Sequence, residues 1–370
     1  MESVKQFWVG FNLVKGIGPA RLQALLDYFG DIESAWRAPA QALEEAGLSA
    51  RLASELIRVR NSDLLERTWQ YIGEQSIQVM TWDDAAYPRR LKEINGAPPV
   101  LYVQGEISDT DQWAVAMVGT RRITAYGRQA ANDLAGELAR NGITIVSGLA
   151  RGVDAVAHQA SLKNGGRTFA VLGSGVDVIY PPEHRRLAEE ITDQGALISD
   201  YPPQTAPEAT NFPPRNRIIS GLSQAVIVIE AGEKSGALIT AAFAAEQGRE
   251  VFALPGNIYA PQSKGANRLI KEGAQILTSA QDVLEFLDIS QLGEHRVARA
   301  ILPADATEAQ LFEVLGHEPL HVDEIRARAN LPIEKVSAAL TLMELKGMIR
   351  QVGGMHYVAL YEPKADYQVE

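Results

Sequence analysis

From Trp113 onward the chain alternates short apolar runs with longer amphipathic stretches, and few folds accept that alternation. The runs are Trp113–Val118, Ile143–Val146, Thr168–Leu172, Ala196–Ile198, Ala225–Ile229, Val251–Leu254 and Gln275–Leu277. Short, nearly continuous apolar runs suit strands buried on both faces, so seven of them predict a parallel sheet. Tyr126–Arg140, Val153–Lys163, Pro182–Thr192, Ala237–Gln247 and Asn267–Lys271 lie between them and have the length and patterning of crossover helices. The expectation is an α/β class open sheet covered on both faces, with its site at the strands' carboxyl ends.

The flanks read differently. Residues 1–70 form a small helical domain. Phe7-Trp8-Val9 and Leu13 precede a break at Lys15-Gly16-Ile17-Gly18-Pro19, and Leu22, Leu25, Leu26 and Phe29 follow at helical spacing. The Gly-Ile-Gly hairpin resembles a helix-hairpin-helix unit, whose backbone N–H groups can hold a DNA phosphate. It serves equally as a tight turn packing two helices. Residues 71–111, with Tyr87-Pro88-Arg89-Arg90-Leu91 and Ala97-Pro98-Pro99-Val100-Leu101-Tyr102, are expected to be a packed linker before the sheet domain at 112–289. Residues 290–304 lack periodicity and read as a second linker. Residues 305–362 follow the order of a winged helix-turn-helix: helices Glu308–Leu315, Val322–Ala329 and Ile333–Leu345, then Met348–Gln351 and His356–Leu360 as a hairpin around Gly353-Gly354. The third helix, counted through Lys346, offers two Lys and two Glu, a poor inventory for reading the major groove. A protein-contact or accessory role is the expectation there.

Composition removes whole classes of chemistry. With no Cys, the chain has no disulfide, thiolate nucleophile or zinc-Cys site. No apolar run approaches the roughly 20 residues that span a bilayer, and Met1-Glu2-Ser3-Val4-Lys5 does not open a secretory signal, so a cytoplasmic protein without membrane partners is expected. A net charge of −11 opposes bulk attraction to nucleic acid. A local patch is still allowed. Residues 112–289 carry 16 basic and 18 acidic groups, against 11 and 16 for 1–111 and 8 and 12 for 290–370, and 12 of those 16 cations are Arg. Arginine is the side chain suited to bidentate phosphate contact.

Where these arginines fall is informative. The first strand runs into Gly119-Thr120-Arg121-Arg122 before a helix beginning near Tyr126-Gly127. Glycine lets backbone approach a ligand, a helix start supplies N–H groups, and arginine adds charge where an anion docks. The second strand ends in Ser147-Gly148-Leu149-Ala150-Arg151-Gly152, and the third in Gly173-Ser174-Gly175. One such turn is a weak signal, but three on one sheet edge converge in space. Further along, Arg215-Asn216-Arg217 precedes the strand at Ala225. This pair of arginines serves either an anion or a salt bridge between sheet and loop. Ser235-Gly236 opens a helix with Thr240 one turn inside, and Lys264 adds a cation to a similar start. Tyr180, Tyr201, Phe212 and Tyr259 are aromatics that can stack a base, each equally explained by packing beside Pro.

Familiar enzyme signatures are missing. The dinucleotide fingerprint fails at Gly119-Thr120-Arg121-Arg122-Ile123-Thr124, and no Gly-Lys-Ser/Thr loop exists. Ser147, Asp154 and His158 suggest a triad, but no nucleophile elbow accompanies them, and Asp154 and His158 stand one helical turn apart, as helix anchors do. The histidines show no metal-binding spacing beyond His317 and His321, which flank a proline. No cofactor, metal or catalytic residue is expected.

Taken together, Val118–Arg121, Ser147–Asp154 with His158, Gly173–Gly175, Phe212–Gly221, Ser235–Thr240, Val251–Asn257 and Ser263–Asn267 strongly resemble the DprA/Smf family of DNA-processing proteins. The motifs run in the family's order through the central domain, and the flanking helical (helix-hairpin-helix or SAM-like) and winged-helix pieces fit its plan. The resemblance implies a Rossmann-like domain that binds single-stranded DNA, dimerises and delivers the strand to the RecA recombinase in natural transformation or recombination. It also implies that Arg121 is the principal cation. Some members carry Lys directly after the Tyr-Pro pair. Here that position is Pro182, leaving Arg185 or Arg186 as replacements, and the family's frequent Ser after Gly119 is Thr120. Two other classes compete. A nucleoside-monophosphate hydrolase of the lysine-decarboxylase-like group shares the expected fold, but its Pro-Gly-Gly-x-Gly-Thr pattern is missing from Glu230–Thr240. A ligand-sensing winged-helix regulator requires a more basic third helix.

Overall fold

The computed structural model describes residues 4–287, 306–315, 320–329, 331–345, 349–353 and 355–359, and the chain divides into two units after Leu287. Among the described residues no helix is long and apolar enough to cross a membrane.

Helices α1 (Val4–Asn12), α2 (Pro19–Phe29), α3 (Ile32–Arg37), α4 (Ala40–Glu45), α5 (Ala50–Arg60) and α6 (Leu64–Glu74) open the first unit. Trp8, Phe11, Leu22, Leu25, Trp36 and Leu56 fill their common core. Between α1 and α2, Gly16 takes a φ of 109°, which a side chain rarely adopts, and Ile17 plugs the interior. Pro19 starts α2, where its missing N–H costs nothing, and Arg21 donates to the Gly16 carbonyl at 2.7 Å. The hairpin is held by packing and by its own cation.

Residues 71–111 depart from the linker reading. They supply β1 (Gln78–Thr81), helix α7 (Arg89–Lys92) and β2 (Val100–Gly105). Strand β2 pairs antiparallel with β1 on one side and, on the other, with a strand of the central sheet at Tyr102↔Ser199 to Gly105↔Ala196. The prolines at 98 and 99 end just before β2, so no ladder N–H is lost.

All seven expected strands form: β3 (Ala114–Val118), β4 (Thr144–Ser147), β5 (Thr168–Val171), β6 (Gly195–Ser199), β7 (Ala225–Val228), β8 (Glu250–Ala253) and β9 (Gln275–Ile276). The sheet has nine strands in the order β1-β2-β6-β5-β4-β3-β7-β8-β9, parallel from β6 to β9. Helices α8 (Ala125–Arg140), α9 (Val153–Lys163), α10 (Arg185–Gln194), α11 (Phe212–Gly221), α12 (Ala237–Glu246), α13 (Lys264–Lys271) and α14 (Ala280–Phe286) accompany it. Every residue of β3, β4, β5, β6 and β7 is buried, as two covered faces require. Helices α11 and α14 were not disclosed by sequence periodicity; in α11, Pro213 and Pro214 occupy the first turn, where proline is tolerated.

In the second unit, helices Ala306–Val314, Val322–Ala329 and Ile333–Leu345 pack on Leu311, Ile325, Val336, Leu340 and Met343, and three antiparallel strands, β10 (Leu320–His321), β11 (Ile349–Gly353) and β12 (His356–Ala359), complete the winged helix. The linker at 290–304, together with His295, His317, Lys346, Met348, Gly354 and Leu360, lies outside the described residues.

Candidate functional site

Strands β3 and β7 are neighbours at the centre of the sheet, paired from Val115↔Ala225 to Val118↔Val228. Strand order runs one way from β3 through β4 and the other way from β7 through β8, so the connections leaving these two strands diverge and open a crevice at their carboxyl ends. A trough of about 1000 Å³ lies there. Ten of the residues expected from sequence to contact the strand's phosphates line it: Gly119, Thr120, Arg121, Arg122, Ala150, Arg215, Asn216, Ser235, Gly236 and Thr240. Asp154, Tyr180, Phe212 and Lys234 line it as well.

The first turn forms the open rim. A Cβ on Gly119 would strike Val153 and the Glu230 carbonyl, so the turn packs tightly and pushes the next side chains outward. Thr120 donates its N–H to the Glu230 carbonyl at 2.7 Å, and its hydroxyl accepts from Arg122 N–H at 3.1 Å. Arg121 and Arg122 are exposed, and neither has an acidic partner among the described residues. The Arg121 guanidinium lies 5.7 Å from the centre of the Phe212 ring. The start of α8 is less open than expected. Thr124 caps it by accepting from Gly127 N–H at 3.1 Å, and the buried Glu230 carboxylate accepts both the Thr124 N–H, at 3.0 Å, and its hydroxyl, at 2.5 Å.

The second turn is a closed structure beneath that rim. Ser147 is fully buried and donates to the Met117 carbonyl at 2.6 Å. Asp154, in the first turn of α9, accepts the Gly148 and Ala150 amides at 3.1 and 3.3 Å, so donors read as phosphate ligands already have a carboxylate. Leu149 is buried with a φ of 58°. Gly152 has a φ of 83°, and a Cβ there would meet the backbone of Thr120 and Arg121. The first two turns therefore dock on each other. Arg151 is not among the lining residues and pairs with Glu183 at 2.5 Å. The third turn is spent internally too: Gly173 lies against the Phe212 ring, Ser174 donates to the Val178 carbonyl at 2.7 Å, and Gly175 N–H donates to the Thr205 carbonyl at 3.0 Å.

The two arginines of α11 are both structural in their contacts. Arg215 is only 4% exposed and donates to the Gly148 carbonyl at 3.0 Å and to the Val171 carbonyl. It lies beside Asp154, and a Cβ on Gly148 would meet both groups, at 2.6 and 2.9 Å. Burial draws Arg215 down to about 10, still charged at neutral pH, and raises the Asp154 carboxyl above its ordinary range against the pull of Arg215 and the two amides. Arg217 pairs with Asp200 at 2.7 Å, both largely buried, which is the sheet-to-loop salt bridge held open in the sequence reading. Asn216 donates to the Gly236 carbonyl at 3.4 Å, and the Ser235 hydroxyl accepts from Ala237 N–H at 3.3 Å. Lys264 stands 3.8 Å from Glu233, outside the trough lining. Neither candidate replacement for a lysine at Pro182 lies in it: Arg185 borders a separate recess with Tyr71 and Asp177, and Arg186 pairs with Glu190 at 3.0 Å.

Sequence reasoning missed two contributors, Lys234 and Glu230, while Asp154, read there as a helix anchor, ties the second turn to the start of α9. Lys234 is exposed on the rim immediately before Ser235-Gly236, close enough in sequence to have been read with them. Glu230 acts through contacts that no local pattern announces. The Tyr180 and Phe212 rings meet at a tilt, centroids 5.8 Å apart, whereas Tyr201 and Tyr259 lie outside the lining. His158 is fully buried and pairs its Nδ1 with the Thr168 hydroxyl at 2.7 Å, apart from Ser147. The Thr168 hydroxyl donates to the Ile145 carbonyl, so Nδ1 carries the histidine proton. Among the lining residues four cations, Arg121, Arg122, Arg215 and Lys234, face one carboxylate, Asp154, which is buried and bonded.

Known proteins agree with this architecture. A profile described as DNA recombination-mediator protein A matches residues 78–288, beginning at the first residue of β1, and one described as DprA winged helix domain matches 295–355. Protein Smf of Synechocystis sp. is 37% identical over 396 residues, covering 96% of this chain and 99% of the relative. Protein Smf of Escherichia coli is 39% identical, covering 85% and 86%. The X-ray structure of DNA processing protein A from Streptococcus pneumoniae superposes with a TM-score of 0.68 at 35% identity, over 76% of this chain and 97% of that one. A solved structure of DNA processing protein A from Helicobacter pylori, described for its unique single-stranded DNA binding mode, gives 0.52 at 33% identity, over 57% and 95%. With both family profiles matched in order along it and a relative 37% identical across nearly its whole length, the chain belongs to the DprA/Smf family of DNA-processing proteins.

Proposed function

We propose that the trough holds single-stranded DNA by its phosphates, and that the protein is a binding protein in DNA processing rather than an enzyme. The observation that carries this reading is a rim of three exposed cations, Arg121, Arg122 and Lys234, at the sheet's switch point in a chain of net charge −11. The floor contributes shape and a fixed positive charge at Arg215, while Tyr180 and Phe212 offer rings to a base. Phosphate contacts carry no base information, so binding tolerates any sequence. The bound strand is thereby protected and handed to the RecA recombinase in the cytoplasm, during transformation or recombination, by a homodimer. Exposed Ile276 on the edge strand β9 and exposed Phe286 offer apolar surface for the second copy. The family resemblance supports these last steps.

Titration of labelled oligo-dT against salt tests the core of the reading. Three neutralised phosphates give a log–log slope of about −2, because each contributes roughly −0.7 on a single strand. Arg121→Ala should reduce the slope by one such step. A slope near zero, or an unchanged affinity in Arg121→Ala, would displace the site from the trough.

A further inference from the structure

The sheet edge continues past the trough onto the loop after β8, and this extension has different chemistry. A second recess of about 490 Å³ is lined by Thr124, Tyr126, Glu230, Pro255, Gly256, Asn257, Ala260 and Ser263, with no lysine or arginine among them. Its loop is braced. Gly256 and Asn267 exchange hydrogen bonds at 3.1 and 2.9 Å, Tyr259 N–H donates to the Asn257 side chain at 2.8 Å, and the Tyr126 hydroxyl donates to the Pro255 carbonyl at 2.9 Å. From this rigid frame three large side chains face solvent: Tyr259 at 85% exposure, Ile258 at 71% and Tyr126 at 53%. Apolar surface held rigidly in water marks a place for a partner.

We infer that this recess and its aromatic rim bind a nucleobase of the same strand as it leaves the trough past Arg122. The inference rests on the trough reading. Continuity is direct: Arg122 lines the trough, Thr124 lines the recess, and the Pro261 carbonyl of the braced loop faces Gly232 of the trough wall, within contact of any Cβ placed there. The chemistry selects a base over a phosphate. A buried carboxylate, Glu230, stands in the wall with no cation beside it among the lining residues, so an anion is repelled while a neutral ring is accepted. Tyr126 and Tyr259 supply the stacking faces that make such binding indifferent to sequence.

The test compares Tyr126→Ala/Tyr259→Ala with the parent protein on two oligo-dT probes, one of about 5 nucleotides that fills the trough and one of about 15 that runs beyond it. The double variant should bind the long probe about tenfold more weakly, at an unchanged salt slope, and the short probe as before. A long probe whose distal half is abasic should bind parent and variant alike, and Tyr259→Trp with Tyr126 intact should keep long-probe affinity. Equal affinity of the double variant for the long probe, or equal loss on both probes, overturns the inference. So does a shift in sedimentation without any change in DNA affinity, which would give this surface to a second copy. Arg121→Ala fails separately: if it binds both probes normally the trough reading falls, whatever the tyrosines do.

Discussion

Arg121 and Arg215 lie 5.7 and 5.8 Å from the centre of the same Phe212 ring, yet their surroundings are opposite. Arg121 stands on the rim in water, with no carboxylate paired to it among the described residues. Arg215 lies on the floor, its donors given to two strand-end carbonyls, beside a buried Asp154 that in turn ties down the second turn. Two identical side chains, both drawn from motifs that read as anion ligands, are divided by burial into one that shapes the site and one with donors to offer. The lesson extends to the turns: the first keeps its cations outward, and the second and third spend theirs, or their amides, on the protein itself.

Removing the floor should have the largest effect. Arg215→Met leaves the Gly148 and Val171 carbonyls without their buried donor and removes a buried cation that acts on Asp154, and each buried polar group left unsatisfied costs about 1–3 kcal/mol. Chemical denaturation measures it, and a loss near zero would mean that Arg215 is not the clamp. Next comes His158 beneath the same turn. Burial holds its pKa down to about 3 against 6.5 for the free side chain. The unfolded chain takes up a proton below about pH 6.5 that the folded chain refuses until about pH 3, so this stability is complete above the window and is lost as pH falls through it. Asp154, raised by burial, acts in the opposite sense near its own pKa, so the measurement is the difference between the parent and His158→Gln. The variant should lose the downward slope that the histidine contributes.

On the rim the effects move from folding to binding. Arg121→Ala should weaken single-stranded DNA by about 1–2 kcal/mol, the scale of one charge-assisted contact, without lowering Tm. The smallest effect belongs to Arg151, whose exposed pair with Glu183 lies off the trough: Arg151→Ala should leave both Tm and affinity where they were. If Arg151→Ala instead matched Arg121→Ala, the division between rim and off-site cations would be drawn in the wrong place.

How much of this was legible follows from the range of the interactions. The seven parallel strands were readable because burial on both faces writes itself into consecutive residues. Strands β1 and β2 were not, since Pro98-Pro99 before β2 and the turn residues between the strands resemble a connector, and α11 hid behind Pro213-Pro214. At the site, local patterns located all the Gly-rich turns but not which were still open. That depends on Glu230 reaching back to Thr124, on Asp154 folding over Gly148 and on Thr205 meeting Gly175, contacts made only when distant segments come together.

The antiparallel extension also decides where the molecule can be cut. Tyr102 of β2 pairs with Ser199 of β6 and donates its hydroxyl to Asn12 of α1 at 2.9 Å, while Val79, Val100 and Tyr102 share one interior with Trp8 and Leu56. A fragment beginning at residue 112 would strip β6 of its neighbour and present a raw edge for other chains to zip onto. The amino-terminal helices are thus a bolted cover for the sheet, and any dissection into working pieces has its natural scissor mark after Leu287.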